Sequence, residues 1–143
     1  MRPMQWRFRA DPAVLRKVRS DARCCAADLG AAPEACDAVS LVVDELVNNA
    51  IEHGAAYRNK GAELSVAVGS EAGKLTLDFV DPEMPDSQVR ELARALRDAA
   101  GGMPSLESER GRGLFLISIY MEELRVDVAI GGGLHLHGRL AAT

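Results

Sequence analysis

Glu45, Asn49 and His53 fall four residues apart in the segment ELVNNAIEHG, and residues so spaced share one face of a helix. Beside this polar column, Val39, Val42, Val43, Leu46, Val47 and Ala50 recur at helical spacing, which marks a face that buries. A carboxylate and a carboxamide on a buried helix cost free energy unless something binds them. One turn apart they suit a Mg²⁺ site, with Asn49 as a neutral oxygen ligand and Glu45 as a nearby base. The competing reading makes them helix-end polar residues that face solvent.

A second segment bears on that choice. Arg110-Gly111-Arg112-Gly113-Leu114 opens the apolar run LFLISIYM. Glycines just before a helix let backbone N–H groups approach phosphate oxygens, and the helix N-terminus adds a partial positive charge. The two arginines add donors that are always charged. Taken alone a Gly-x-Gly is weak evidence, because such turns precede many helices. Between the two segments a strand-like stretch, LTLDFVD, ends at Asp81 and runs into the proline-bearing turn PEMP.

In this order and spacing the three segments resemble the Bergerat-fold ATPases, the histidine-kinase-like superfamily that includes gyrase and MutL. The likeness is greatest to the small, stand-alone anti-sigma-factor serine/threonine kinases of bacterial partner-switching systems. DELVNNAIEHG resembles their asparagine box, VDPEMPD sits at the first glycine box, and RGRGLFLI resembles the second. The resemblance implies that Glu45 is the general base and Asn49 the Mg²⁺ ligand. It places Asp81 on the adenine amino group, and His53, Arg110, Gly111, Arg112, Gly113 and Leu114 around ATP. It also implies the activity: transfer of the ATP γ-phosphoryl to a serine of a STAS-type anti-sigma-factor antagonist, with a sigma factor sequestered by a homodimer. The alternative is a catalytically degenerate or nucleotide-free interaction module of the same fold.

One position departs from the pattern. The family has glycine two residues after the aspartate, and this chain has Glu83, while the later Pro85 is kept. Glycine serves where backbone must approach a ligand closely or take a positive φ. Pointing outward, Glu83 leaves the site usable. Pointing inward, it adds negative charge where an anionic nucleotide would bind.

Composition sets the limits around this reading. A length of 143 residues suits one domain with a single core, here a histidine-kinase-like ATPase domain over 1–143. Apolar residues at 48% and charged residues at 27% describe a globular chain rather than a disordered one. A formal net charge of −4 argues against direct nucleic-acid binding. Arg16, Lys17, Arg19 and Arg23 are expected on a solvated helix face. No apolar run approaches a membrane span and no signal-peptide core opens the chain, so a cytoplasmic protein is expected. Three cysteines, two of them adjacent, fit reduced thiols.

The elements follow from pattern. Residues 4–9 alternate, with Trp6 and Phe8 on one face, and predict a strand. Asp11-Pro12 is a helix start, and Val14, Val18, Ala22, Cys25 and Leu29 mark its buried side up to Gly30. Pro33 opens the helix carrying Glu45 and Asn49, which stops at Gly54. The loop from Ala55 to Gly61, with Tyr57, Arg58 and Lys60, is expected to be solvated, the alternative being that these three side chains reach nucleotide phosphates. Two strands (Leu64, Val66, Val68; Leu75, Leu77, Phe79) join through Glu71-Ala72-Gly73. Residues 82–110 are expected to be an ATP lid with one short helix capped by Asp86. A last hairpin runs through Leu124 to Ile130, Gly131-Gly132-Gly133, and Leu134 to Leu140. His135 and His137 share the opposite face of its second strand and are expected to be wet rather than metal-bound. Together these predict an α/β two-layer sandwich, one mixed sheet covered on one face by helices.

Overall fold

Asp11 shows how local chemistry places the first helix. Its backbone is extended, and its side chain accepts a hydrogen bond of 2.9 Å from the Ala13 N–H. That satisfies one of the orphan donors of a helix start, with Pro12 at the position that needs no donor. Helix α1 (Pro12–Asp28) follows, and the chain leaves it through Gly30 at φ +88. A computed structural model describes residues 3–59, 61–101 and 109–143, with the side chains of 109–111 outside the described set.

Strand β1 is Met4–Phe8, α2 is Pro33–Gly54, and β2 and β3 are Leu64–Glu71 and Lys74–Asp81. Helices α3 (Asp86–Gly101) and α4 (Glu109–Tyr120) precede the hairpin of β4 (Glu123–Val128) and β5 (Leu134–Ala141). The sheet order is β1-β2-β3-β5-β4. Leu64, Val66 and Val68, Leu75, Leu77 and Phe79, and Leu134, Leu136 and Leu140 all point to the helix side and are buried. The opposite face carries Thr76, Asp78, His135, His137 and Arg139, so the helices form one layer and the sheet the other.

The expected two-layer α/β sandwich is the fold, but the sheet is not mixed. All four strand pairings are antiparallel. β4 does run parallel to β3, yet the terminal hairpin inserts β5 between them, so no parallel neighbours form. A second correction concerns residues 82–110. In place of a short helix in an irregular lid, α3 is a 16-residue helix with Val89, Leu92, Leu96 and Ala99 in the core. Its first turn is closed by Gln88 and Val89 N–H groups bonding the Pro85 carbonyl, so Asp86 lies inside the helix rather than capping it. The remainder of the expected lid, 102–108, lies outside the described residues. The final strand pattern is also shorter than expected: β4 stops at Val128 and Ile130 is fully exposed.

Helix α2 is the spine of the core. Val39, Val42, Val43, Leu46 and Val47 are each at most 2% exposed. At roughly 1.5–3 kcal/mol per buried aliphatic side chain, this row outweighs the penalty of about 1–3 kcal/mol for a poorly satisfied polar group. The polar column on the adjacent face is therefore held wherever the apolar row puts it.

The β2–β3 turn carries a local defect. Ala72 and Gly73 both have positive φ, +51 and +79. Two-residue hairpin turns of this kind favour Asn-Gly, and a left-handed conformation costs an ordinary side chain roughly 1–2 kcal/mol. Ala72→Asn should therefore raise stability by up to about 1 kcal/mol, read as a higher denaturant midpoint at unchanged slope. A lower midpoint would show that the turn is held by something other than local backbone preference.

Candidate functional site

Helix α2 presents Glu45, Asn49 and His53 along one face, and α4 lies opposite. Between them is a cleft of about 330 Å³ lined by Glu45, Asn49, His53, Arg112, Gly113 and Leu114, with Asn48 and Glu52 at its edge. Six of the residues singled out in the sequence thus share one cavity. Arg110 and Gly111 lie in the first turn of α4, but their side chains fall outside the described residues.

The glycines do not precede α4, as the sequence suggested; they are inside its first turns. The role of Gly113 is contact rather than flexibility. Gly113 abuts Glu45, and a Cβ added there would overlap the Glu45 carboxylate. Glycine lets the amino-terminal part of α4 approach the carboxylate at backbone distance.

Glu45 is half-buried, and its carboxyl is pushed above the ordinary range, first by burial and then by the neighbouring Asp44 and Glu52 carboxylates. A base of raised proton affinity in a cleft is a functional candidate. His53 is exposed at the end of α2, where its charge would favour the helix terminus.

Asp81 does not line this cleft. It ends β3 with no solvent exposure, one of two buried polar residues among those described. Tyr57 Oη donates to its Oδ2 at 2.6 Å, and Arg58 donates through Nη1 to Oδ1 at 2.9 Å and through Nη2 to Oδ2 at 2.8 Å. The Glu83 N–H adds a bond to Oδ1 at 3.2 Å. Arg58 Nη2 also donates to the Ala50 carbonyl at the end of α2, 3.1 Å away. Burial and the Asp81 hydrogen bond push the Tyr57 hydroxyl far above its usual range.

This corrects the solvated-loop reading of Tyr57 and Arg58; Lys60 lies outside the described residues. The signal that could have found them is Gly54. A Cβ there would overlap the Arg58 guanidinium and crowd the Tyr57 hydroxyl at 3.2 Å. The glycine closing the asparagine box is space for an arginine, not merely a helix stop. Glu83 resolves in the same loop: its carboxylate accepts the Asn59 and Ala62 N–H groups, each at 2.9 Å. It points to the loop and does not line the α2–α4 cleft.

On the far face of the sheet, His135 Nε2 and His137 Nδ1 both lie 2.8 Å from Asp78 Oδ1. Among the described residues no set of three or more His, Cys, Asp or Glu side chains is arranged to hold a metal ion. Lys17, Arg19 and Arg23 of α1 are on an outer face, as expected, and pair with Asp21, Asp44 and Asp37. The three cysteines are free thiols, and no helix among the described residues is long and apolar enough to cross a membrane.

Comparison with known proteins agrees with this architecture. The Anti-sigma F factor of Clostridium acetobutylicum is 29% identical over 108 residues, 76% of this chain and 71% of that protein. The structure of the SiaB-SiaC complex from Pseudomonas aeruginosa matches with a TM-score of 0.77 at 16% identity, over 97% of this chain and 90% of that one. The RsbU and RsbW domains of a Mycobacterium tuberculosis protein match with a TM-score of 0.66 at 18% identity, over 99% of this chain and 32% of that one. At such identities the two structural likenesses establish the fold. Residues 8–136, from the end of β1 to the middle of β5, match the family described as Histidine kinase-like ATPase domain, and the chain belongs to that family.

Proposed function

We propose that this protein is an ATP- and Mg²⁺-dependent serine kinase of the anti-sigma-factor type. It would phosphorylate a serine on a small STAS-type antagonist and sequester a sigma factor as a homodimer. The observation that carries this reading is the α2–α4 cleft, where a carboxylate, a carboxamide and the amino-terminal turns of a helix converge. The similarity to an anti-sigma F factor supports the choice of partners.

The donor set fits the phosphate end of a nucleotide. Magnesium is usually held by one or two protein oxygens, the rest coming from water and substrate phosphates, so Asn49 alone is enough to anchor it. Arg112 would supply charge towards phosphate oxygens. Bound Mg-ATP would supply the transferable phosphoryl group, with the metal neutralising charge that builds on it. Glu45 would accept the proton of the attacking serine hydroxyl, and its raised proton affinity suits that task. Leu114, 6% exposed, helps shield the cleft from water.

A second reading has one specific observation in its favour. Asp81, the residue expected at adenine, has its oxygens engaged by the protein's own donors. A module that binds partners without nucleotide would have no other use for that aspartate.

Three outcomes test the kinase. Asn49→Ala should weaken Mg-dependent ATP binding by about tenfold or more, or at least ~1.4 kcal/mol, with thermal stability nearly unchanged. Equal affinity by calorimetry would remove Asn49 as metal ligand. Glu45→Gln should keep nucleotide bound yet slow phosphotransfer to an antagonist by roughly 100- to 10,000-fold, the range for a general base.

The same Glu45→Gln change has a stability signature. A carboxyl whose folded pKa is raised destabilises the fold only when ionised, so its penalty is absent in acid. It grows as pH rises through the carboxylate range towards the raised folded value, and persists above it. The variant should therefore melt higher than the parent at pH 7, and the gap should close below about pH 4. A gap that widens in acid would contradict the assignment.

A further inference from the structure

Two oxygens give a carboxylate about four lone-pair sites. Asp81 receives four described donors: Tyr57 Oη and Arg58 Nη2 on Oδ2, Arg58 Nη1 and the Glu83 N–H on Oδ1. None is left for an incoming ligand. Three of the four come from two adjacent side chains of one loop, and Arg58, 12% exposed, forms a bidentate fork. From this we infer that Arg58 competes with the adenine base for Asp81, and that ATP binds only as Arg58 leaves Asp81. The inference rests on the kinase reading, in which Asp81 recognises the adenine amino group.

The surroundings are built for such an exchange. Gly54 clears the space in which the guanidinium lies, since any Cβ there would overlap it. Glu83 Oε1 stands 3.9 Å from Arg58 Nη1, so a second carboxylate is within reach when the guanidinium moves off the first. Glu83 also holds the same loop through the Asn59 and Ala62 amides. The loop following the asparagine box is thus tied to the turn after β3 at two places, and both ties involve residues beside Asp81. Departure of Arg58 must loosen that loop. Nucleotide binding would then be reported on the protein surface at residues 57–62, outside the α2–α4 cleft.

Affinity for ATP is reduced by the fraction of molecules in which Arg58 has already left, so removing it removes that reduction. Arg58→Met keeps the apolar stem and deletes the fork. It should tighten Mg-ATP by about tenfold, while Mg-GTP changes less than about twofold. Adenine donates from its 6-amino group, whereas guanine presents an accepting 6-oxo group that a bare carboxylate repels. Tyr57→Phe removes one donor without uncovering a charge and should give a smaller gain of the same kind. It serves also where Arg58→Met folds poorly. In the parent, Mg-ATP should speed hydrogen exchange at Asn59 and Ala62.

Unchanged ATP affinity in both variants, or equal gains for ATP and GTP, would overturn the role given to Arg58. So would exchange at Asn59 and Ala62 that Mg-ATP leaves as it was. Parental ATP binding with none of these effects strikes the Arg58 inference and leaves the kinase standing. Failure of parent and variants alike to bind any nucleotide removes both.

Discussion

A carboxylate with no solvent exposure, at the end of the third strand of a five-stranded sheet, constrains everything around it. A carboxylate buried there needs donors, because an unpaired buried charge costs several kcal/mol. Arg58 supplies the counter-charge, and its second contact, the Ala50 carbonyl, ties it to the end of α2. Strand, helix end and loop are thereby fixed to one another by a single guanidinium. Losing one partner of such a buried pair typically destabilises by roughly 3–5 kcal/mol. The position of the polar column of α2 relative to the sheet therefore depends on this pair as well as on the apolar row.

The two ends of the candidate site are built from different materials. At the α2–α4 cleft, Glu45 and Asn49 sit on a helix locked by five almost fully buried aliphatic residues, and Gly113 lets α4 close directly on Glu45. Rigid placement is what the proposed base and metal ligand would need, since their effect would depend on position. Around Asp81, the contacts come from the loop after α2 and the turn after β3, held by hydrogen bonds together with the packing of Tyr57 and Met84 on the core. In the proposed kinase the chemistry would rest on the helix, and the contacts that exchange would rest on the loop.

Most of this fold was legible because its signals are local. The valine row of α2, the Asp11-Pro12 start and the alternating strands each follow from one segment's own pattern, and each appears where expected. The cluster of Glu45, Asn49, His53, Arg112, Gly113 and Leu114 was legible as two motifs, although only the three-dimensional arrangement brings them to one cleft. What could not be read was pairing across distance. Tyr57 and Arg58 look like solvated loop residues because nothing within the loop shows that Asp81 lies 23 or 24 positions later beneath them. The antiparallel sheet was missed for a similar reason: strand direction follows from which strand the hairpin inserts, and no segment encodes that alone. The start of α4 was misplaced because glycines usually mark helix ends, and here close approach to Glu45 keeps them inside.

Glu83 joins these threads. As a sequence symbol it is a defect, a bulky anion where the resemblance calls for glycine. In the fold it accepts two backbone N–H groups that a glycine would leave to water, and its Oε1 lies 3.9 Å from the Arg58 Nη1 that also bonds Asp81. Glycine at 83 would spare space at the turn but would leave the Asn59 and Ala62 amides without that acceptor, with the Tyr57 and Arg58 bonds to Asp81 as the remaining tie. Glu83 and Arg58 therefore act on the same loop: Glu83 holds its Asn59 and Ala62 amides, Arg58 holds Asp81, and the 3.9 Å between Arg58 Nη1 and Glu83 Oε1 links the two ties.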